Sequence, residues 1–559
     1  MIAGPRHAVS AGHHLATSAA FAVLEAGGNA VDAGCAAGLA LGVVQPDLVG
    51  IGGVAPIMIR MAHDPEPVTI DGLGVWPASL PERHFLEVRG GTVPEGVERI
   101  VTPAAVDAWL TALERFGTMP FREVAQAALR YARDGFATHA LMRGTIVEHQ
   151  AGYARWPSSA AVFLPAGGPP ALGARFVQSD LARTLDYLCA EEAAASGDRA
   201  AGLAAVRRAF YRGDVAREIV RFVRREGGFL DESDMARFRC RVEPAVSVPW
   251  RGRTLHVCGA WCQGPVLAMA LRQIDEIDLD GLAHNSTAYI HLILGVLDNA
   301  FADREYHFGD PLFVDVPLQR LLSREHARAR VSGLDRDRAP GRMPEPLLES
   351  AANGADRLPG HDPRPAPDTS YVAVVDRHGN AFSATPSDGS WDVPVVPGTG
   401  IVPSSRGSQS RPDPRHPAGA RAGKRPRLTP NPAMLASEAA IMPFGTPGGD
   451  VQSQAMLQFL LNHVHFGMSL QEAVEAPRFA SFNFPGSFAP FAYAPGLVRL
   501  EASIGEGVAE ALAARGHRVE TWAARDWRAG AVCAVESRAD DGLVLGAADP
   551  RRPCAAIAG

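Results

Sequence analysis

A chain of 559 residues is several times the roughly 100–150 of one typical domain, so it can bury one large core or several smaller ones. Hydrophobic residues make up 47% and charged residues 21%, and no long segment pairs low hydrophobicity with high charge, which excludes a predominantly disordered chain. A net charge of -7 argues against a whole-surface nucleic-acid or anionic-membrane binder and leaves a small molecule as the expected partner.

In chain order, the N-terminus lacks a basic segment leading into an apolar core of the signal-peptide type, and His13-His14 interrupt its first apolar stretch. Cys35–Val44 and Val266–Ile277 are too short or too charged to span a bilayer, so a cytoplasmic protein without membrane contact is expected. Residues 14–28 predict an amphipathic helix stopped by Gly27-Gly28, and Asn29–Val44 a second, Ala-rich one. VAPIMIR and TIDGLG, separated by a DPEP turn, predict a strand pair. From about 103 to 300 the pattern is mainly helical, at 104–116, 121–134, 181–195 and 288–306, with few strands.

Residues 335–367 contain seven prolines and few apolar side chains, which predicts an exposed, weakly structured connector. TSYVAVVDRHGNAFSAT then alternates around a His378-Gly379-Asn380 turn, a hairpin whose first strand begins at Thr369. Residues 403–430 read as a Ser, Pro, Gly and Arg-rich loop, followed by AIMPFG, the turn GTPGGD, a helix over 451–466 and a closing hairpin of AVCAVES and GLVLGAAD. The seven cysteines form no CxxC and read as core fillers or incidental thiols. His13-His14 has no second cluster, there is no HExxH, and GIGG lacks a following Lys-Ser/Thr, so neither a metal, a cofactor nor a phosphate loop is expected.

One junction carries chemistry. A long connector running into Asp368-Thr369 at the head of a strand tolerates cleavage between them. A freed N-terminal threonine would combine a hydroxyl nucleophile with its own α-amine, whose pKa of about 7.7–8.0 suits a general base. By itself a threonine at that place is ordinarily a β-former.

The ordered motifs GGNAVDAGCAAGLALGVVQPDLVGIGG, FADREYHFGDP, DTSYVAVVDRHGNAFSAT, VVPGTGI, GKRPRLTPNP, GTPGGD and GAADPR resemble the landmarks of the γ-glutamyltransferase family over nearly the whole chain. The resemblance implies an α+β, N-terminal-nucleophile hydrolase fold, a four-layer αββα sandwich built by two chains after autocleavage. These would be residues 1–368 and 369–559, the second 559 − 368 = 191 residues long, associated as a heterodimer. It also implies Thr369 as the nucleophile, Ser387 as the hydroxyl that orients it, and Gly448 and Gly449 as backbone donors to the tetrahedral oxyanion.

Departures from the family pattern concern the acyl-recognising groups. Leu73 stands in place of the arginine that grips the α-carboxylate, Gly389 in place of an Asn, Gln409 in place of the acid that reads the α-amine, and Leu428 in place of one of two serines, while Thr429 keeps a hydroxyl. Arg406 in the same loop either replaces the lost cation or is a solvated arginine like Arg411, Arg415 and Arg421. Trp76 and Trp391 suit a wider apolar pocket or simply the core, and Asp303, Arg304 and Glu305 read as structural ion pairs.

The expected activity is a self-processing amidohydrolase and acyltransferase for a dicarboxylate-type acyl group, like glutaryl-7-aminocephalosporanic acid acylases, with residual γ-glutamyl transfer. An ordinary γ-glutamyl hydrolase or transpeptidase and an amidase for small oxo-acid amides such as oxamate are the alternatives. A non-processing binding or scaffold homologue is the reading from another class.

Overall fold

Residues 371–375 show how the layers arise. Tyr371, Ala373 and Val375 point into one apolar cluster, with Ala8, Met58, Met434, Cys533 and Val535, while Val372 and Val374 point into another, with the Ala-rich helices. A strand whose two faces are both buried must lie inside a stack of layers. The structure, a computed structural model, describes residues 1–350 and 369–559.

Two seven-stranded antiparallel sheets face each other across that cluster. One runs Ala555–Ala558, Ala8–Ala11, Val372–Val375, Ala381–Ala384, Ile57–Arg60, Val68–Ile70, Val242–Pro244. The other runs Ile2–Gly4, Val544–Ala548, Cys533–Arg538, Ala440–Gly445, Ala433–Ala436, Arg253–Val257, Val246–Trp250. Helices His14–Glu25 and Ala30–Val44 cover the first sheet, and Gly264–Ile274 and Gln452–Leu460 the second, with Thr287–His307 packed against Gly264–Ile274. This is the expected four-layer αββα sandwich.

The buried helix Ala30–Val44 shows how local sequence serves the stack. Asn29 and Asp32 close a capping box at its start, and the Ala30 N–H donates to Asp376 Oδ2 at 2.8 Å, tying the helix to the 372–384 hairpin. A Cβ on Gly34 would sit 2.1 Å from the Phe382 ring, and one on Gly38 2.4 Å from Trp109, so only glycine lets these layers approach.

Several sequence expectations need correction. Strands Val242–Pro244, Val246–Trp250 and Arg253–Val257 interrupt the stretch read as helical, and Ala555–Ala558 follows the hairpin read as closing. The 121–134 helix breaks at Ala125, and the one read over 451–466 is a short turn, an α-helix at Gln452–Leu460 and a wider turn to His465. Regular pairing begins at Val372, with Thr369 joined to Ser387 by a single antiparallel bridge. Residues 403–430, read as a Ser, Pro, Gly and Arg-rich loop, are mostly buried. Of the connector, 335–350 forms no regular element and is anchored where the Met343 N–H donates to the Tyr493 hydroxyl at 2.9 Å. The rest of it and Asp368 lie outside the described residues.

Strands from both sides of the expected cut alternate within one sheet: Val372–Val375 and Ala381–Ala384 lie between Ala8–Ala11 and Ile57–Arg60. A break before Thr369 would therefore leave two segments sharing one core.

Candidate active site

The hairpin delivers Thr369 and Ser387 to the same end of the first sheet. Both are buried, and their hydroxyls lie 2.9 Å apart. Ser387 is fixed by a reciprocal backbone pair with Val54, at 3.0 and 3.1 Å. Across the site, the Gln452 amide donates to Thr369 Oγ1 at 3.5 Å, while its oxygen accepts from the Asn431 backbone and side chain at 3.3 and 3.4 Å. Gln452 opens the helix that follows Gly448 and Gly449, so it links the glycine turn to the threonine. Both glycines have positive φ, 126° and 57°, a conformation that side-chain-bearing residues adopt only under strain.

Arg406 is fully buried, which removes the reading of it as a solvated loop arginine. Arg411 is buried too, paired with Glu305, whereas Arg415 and Arg421 are exposed. The Arg406 guanidinium donates to Ser387 Oγ and, at 3.5 Å, to Gln409 Oε1, with its Nε 3.4 Å from Asp388. It also stands 5.4 Å over the Phe488 ring. Gln409 in turn donates to Thr429 Oγ1 at 3.0 Å. Thr369, Ser387, Arg406, Gln409 and Thr429 thus form one continuous chain of polar contacts.

Asp388 organises this side. It sits at φ 144°, rare for a residue with a Cβ, and accepts from the Ser404 and Ser405 hydroxyls at 2.6 and 2.9 Å. Burial raises its carboxyl above the usual range, and the Arg406 guanidinium opposes that shift.

Beside these groups lies an apolar wall. Leu73 and Leu428 are fully buried in one cluster with Val54, Cys258, Trp261 and Cys262. Leu428 is held there by its N–H to Trp261 O, 2.9 Å, and by its carbonyl accepting from Gln263 N, 3.0 Å. The two departures read from the sequence are therefore one packing unit. Trp76 is buried beneath Gly407, where a Cβ would come within 2.5 Å of its ring, and its indole donates to Ser410 Oγ at 2.9 Å. Trp391 stacks on His149 at 4.0 Å. Both tryptophans are core, and Trp76 supports the loop that carries Arg406.

The acid and base pairs expected at Asp303, Arg304 and Glu305 are present and buried. Burial alone would raise Glu305, but Arg411 and Arg427 hold it well below the usual carboxylate range. Burial draws the Arg304 guanidinium down to about 10, with Asp450 opposing.

Sequence reasoning missed Asp388, Asn431, Gln452 and Phe488. Asn431 and Gln452 were within reach, since one lies in TPNP and the other follows PGGD. Asp388 and Phe488 carry no local signal, because only the fold brings them to Arg406.

The four-layer αββα stack, with the hydroxyls of Thr369 and Ser387 paired just beyond the ends of a central hairpin, has the fold of the N-terminal-nucleophile hydrolase class. A family model for gamma-glutamyltranspeptidase matches residues 16–559. The chain is 32% identical over 532 residues to the acylase ACY 1 proenzyme of Pseudomonas sp. (strain SE83), covering 92% of this chain and 88% of that one. The solved structure of LmbA2991HD matches with a TM-score of 0.93 at 34% identity, over 100% of this chain and 98% of that one. The crystal structure of the cephalosporin acylase from Bacillus halodurans matches with 0.85 at 25% identity, over 100% and 96%. The chain belongs to the γ-glutamyltranspeptidase family, and it is an enzyme of the amidohydrolase and acyltransferase type.

Proposed function

We propose that the chain cuts itself before Thr369 and then uses that threonine to cleave the amide of a dicarboxylate-type acyl group. The observation that carries this reading is the buried Thr369–Ser387 hydroxyl pair, 2.9 Å apart, with the Arg406 guanidinium on the same Ser387 oxygen. Thr369 Oγ attacks the substrate carbonyl carbon and its freed α-amine takes the proton. Ser387 and Gln452 orient the hydroxyl. The tetrahedral oxyanion accepts from the Gly448 and Gly449 backbone N–H groups, where one donor is worth about 10²–10³ in rate. The C–N bond breaks, the amine leaves with the proton, and water or a second amine takes the acyl group from the threonine ester.

Specificity follows from the other wall. Arg406 brings a positive charge within one hydrogen bond of the reacting pair, suited to the distal carboxylate of a glutaryl-like chain. Leu73 and Leu428 set a buried hydrocarbon cluster behind this side of the site, where neither has a group to pair with a zwitterion's polar ends. Kinship with an acylase proenzyme and with a cephalosporin acylase supports this substrate class.

One observation favours a second reading. Asp388 beside Arg406 places an acid next to a cation, as a γ-glutamyl α-amine and α-carboxylate would require. Comparing kcat/KM for glutaryl and γ-glutamyl anilides decides between them. We expect the glutaryl compound to be preferred by about tenfold or more, the worth of one unpaired buried polar group. Preference for the γ-glutamyl compound would select the second reading.

A further inference from the structure

The turn Gly448-Gly449-Asp450 poses a physical problem. Glycines have the freest backbone of any residue, yet donors to an oxyanion must be held within a few tenths of an ångström. The turn therefore needs restraint from outside itself. Two restraints are visible, and they meet on one side chain.

That side chain is Arg304, fully buried in the last turn of the helix Thr287–His307. Its Nη1 donates to Asp450, to Ser487 Oγ at 2.9 Å and to Gln263 Oε1 at 3.3 Å, and its Nη2 donates to Pro485 O at 3.1 Å. The rings of Phe301 and Phe484 lie 4.7 and 5.2 Å from its guanidinium carbon and fix its plane. Gln263, oriented by Arg304 at one end, donates from its Nε2 to Gly449 O at 2.8 Å. Asp450, gripped by Arg304, accepts from the Ser487 backbone N–H at 2.8 Å and from its hydroxyl at 2.6 Å. The Gly449 carbonyl and the adjoining carboxylate are thus both held, one through Gln263 and one directly.

We propose that Arg304 is a positioning residue for the oxyanion-binding turn, setting the Gly448 and Gly449 peptide planes through Gln263 and Asp450 without touching substrate. The inference rests on the reading of those glycines as oxyanion donors. Lysine keeps the charge but not the planar fork that serves Asp450, Ser487, Gln263 and Pro485 together, so it does not replace arginine here.

The test compares the mature protein with Arg304→Lys and Ser487→Ala. For Arg304→Lys we expect kcat to fall about tenfold or more, a part of what loss of one oxyanion donor costs, with KM held within about twofold. An alkylboronic acid bearing a distal carboxylate supplies the decisive readout. Thr369 Oγ bonds to boron, the proton passes to the α-amine, and the resulting anionic tetrahedral adduct places its oxygen at the turn. Its Ki should rise by the same factor by which kcat/KM falls, while the Ki of the free dicarboxylate, which makes no such adduct, stays unchanged. Should Arg304→Lys remain uncut, Ser487→Ala, which removes a single hydroxyl from the Asp450 carboxylate, decides by the same two inhibition constants with a smaller shift. Variants that lose thermal stability while kcat and the boronate Ki stay put, or in which both inhibitors weaken together, overturn the inference alone. A boronate that fails to inhibit the unsubstituted protein overturns the reading of Thr369, and this inference with it.

Discussion

The two walls of the site differ in chemistry. One, built from Thr369, Ser387, Gln452 and the glycine turn, consists of hydroxyls, amides and backbone. The other, from Leu73 and Leu428 to Arg406 and Gln409, joins a sealed hydrocarbon cluster to a buried cation. In the proposed reaction the first acts on the amide bond, which every substrate of the class shares, and the second reads the acyl chain, which differs between substrates. Catalysis and specificity can then change separately, and substitutions on the two walls should leave different kinetic marks.

The largest effect is expected on the first wall. Thr369→Ala removes the proposed nucleophile, so the chain should stay uncut and kcat should fall by about 10⁴ or more. Electrophoresis and turnover check this, and a cleaved, active variant would erase the distinction between the walls. On the second wall, Leu73→Arg places an unpaired charge among Val54, Trp261 and Leu428. Urea unfolding should show a loss of about 3–5 kcal/mol, and a folded variant of unchanged stability would mean that the cluster is open to water. Arg406→Met should lower kcat/KM for a glutaryl anilide about 10- to 100-fold, as loss of a charged hydrogen bond does. For a butyryl anilide, which lacks the distal carboxylate, the loss should be at least about tenfold smaller. Equal losses on both would assign Arg406 to the first wall, through Ser387.

The smallest effect lies behind both walls, on the helix that carries Arg304. Asp298 is buried there, accepting from Ser481 Oγ at 2.5 Å and Asn483 Nδ2 at 2.8 Å. Burial pushes its carboxyl up to about 7 despite those donors. With the folded pKa above the unfolded one, its contribution to stability is fully present below about 4 and is lost as pH rises through about 7. Asp298→Asn should flatten the stability profile over that window, removing a slope of at most about 1.4 kcal/mol per pH unit. Denaturant titrations at three pH values measure it, and an unchanged slope would assign the pH dependence elsewhere.

How much was legible in the sequence follows the same division. The 372–384 hairpin declared itself by period-2 alternation, and the positive-φ glycine turn by Pro-Gly-Gly. Strands Val242–Pro244 and Val246–Trp250 hid because each contains a proline, which weakens a strand reading, and both turn out to be sheet edges, where proline is tolerated. The 403–430 segment was legible as a loop, but its serine, proline, glycine and arginine composition carried no sign of its burial. Arg406, Arg411, Arg425 and Arg427 within it are buried against carboxylates, Arg425 against Asp71, Glu243 and Asp310 from far along the chain, while Arg415 and Arg421 stay exposed. Leu73 and Leu428 were each noticed as departures from the family pattern, but that they pack as one unit is a fact of the fold.

One measurement reaches the centre of the account: the intact mass of the purified protein, with N-terminal sequencing of its smaller component. Two species are expected, the smaller comprising the 191 residues from 369 to 559 and beginning Thr369-Ser370-Tyr371. A single 559-residue species that persists under conditions supporting turnover would contradict the assignment of Thr369 as a freed nucleophile.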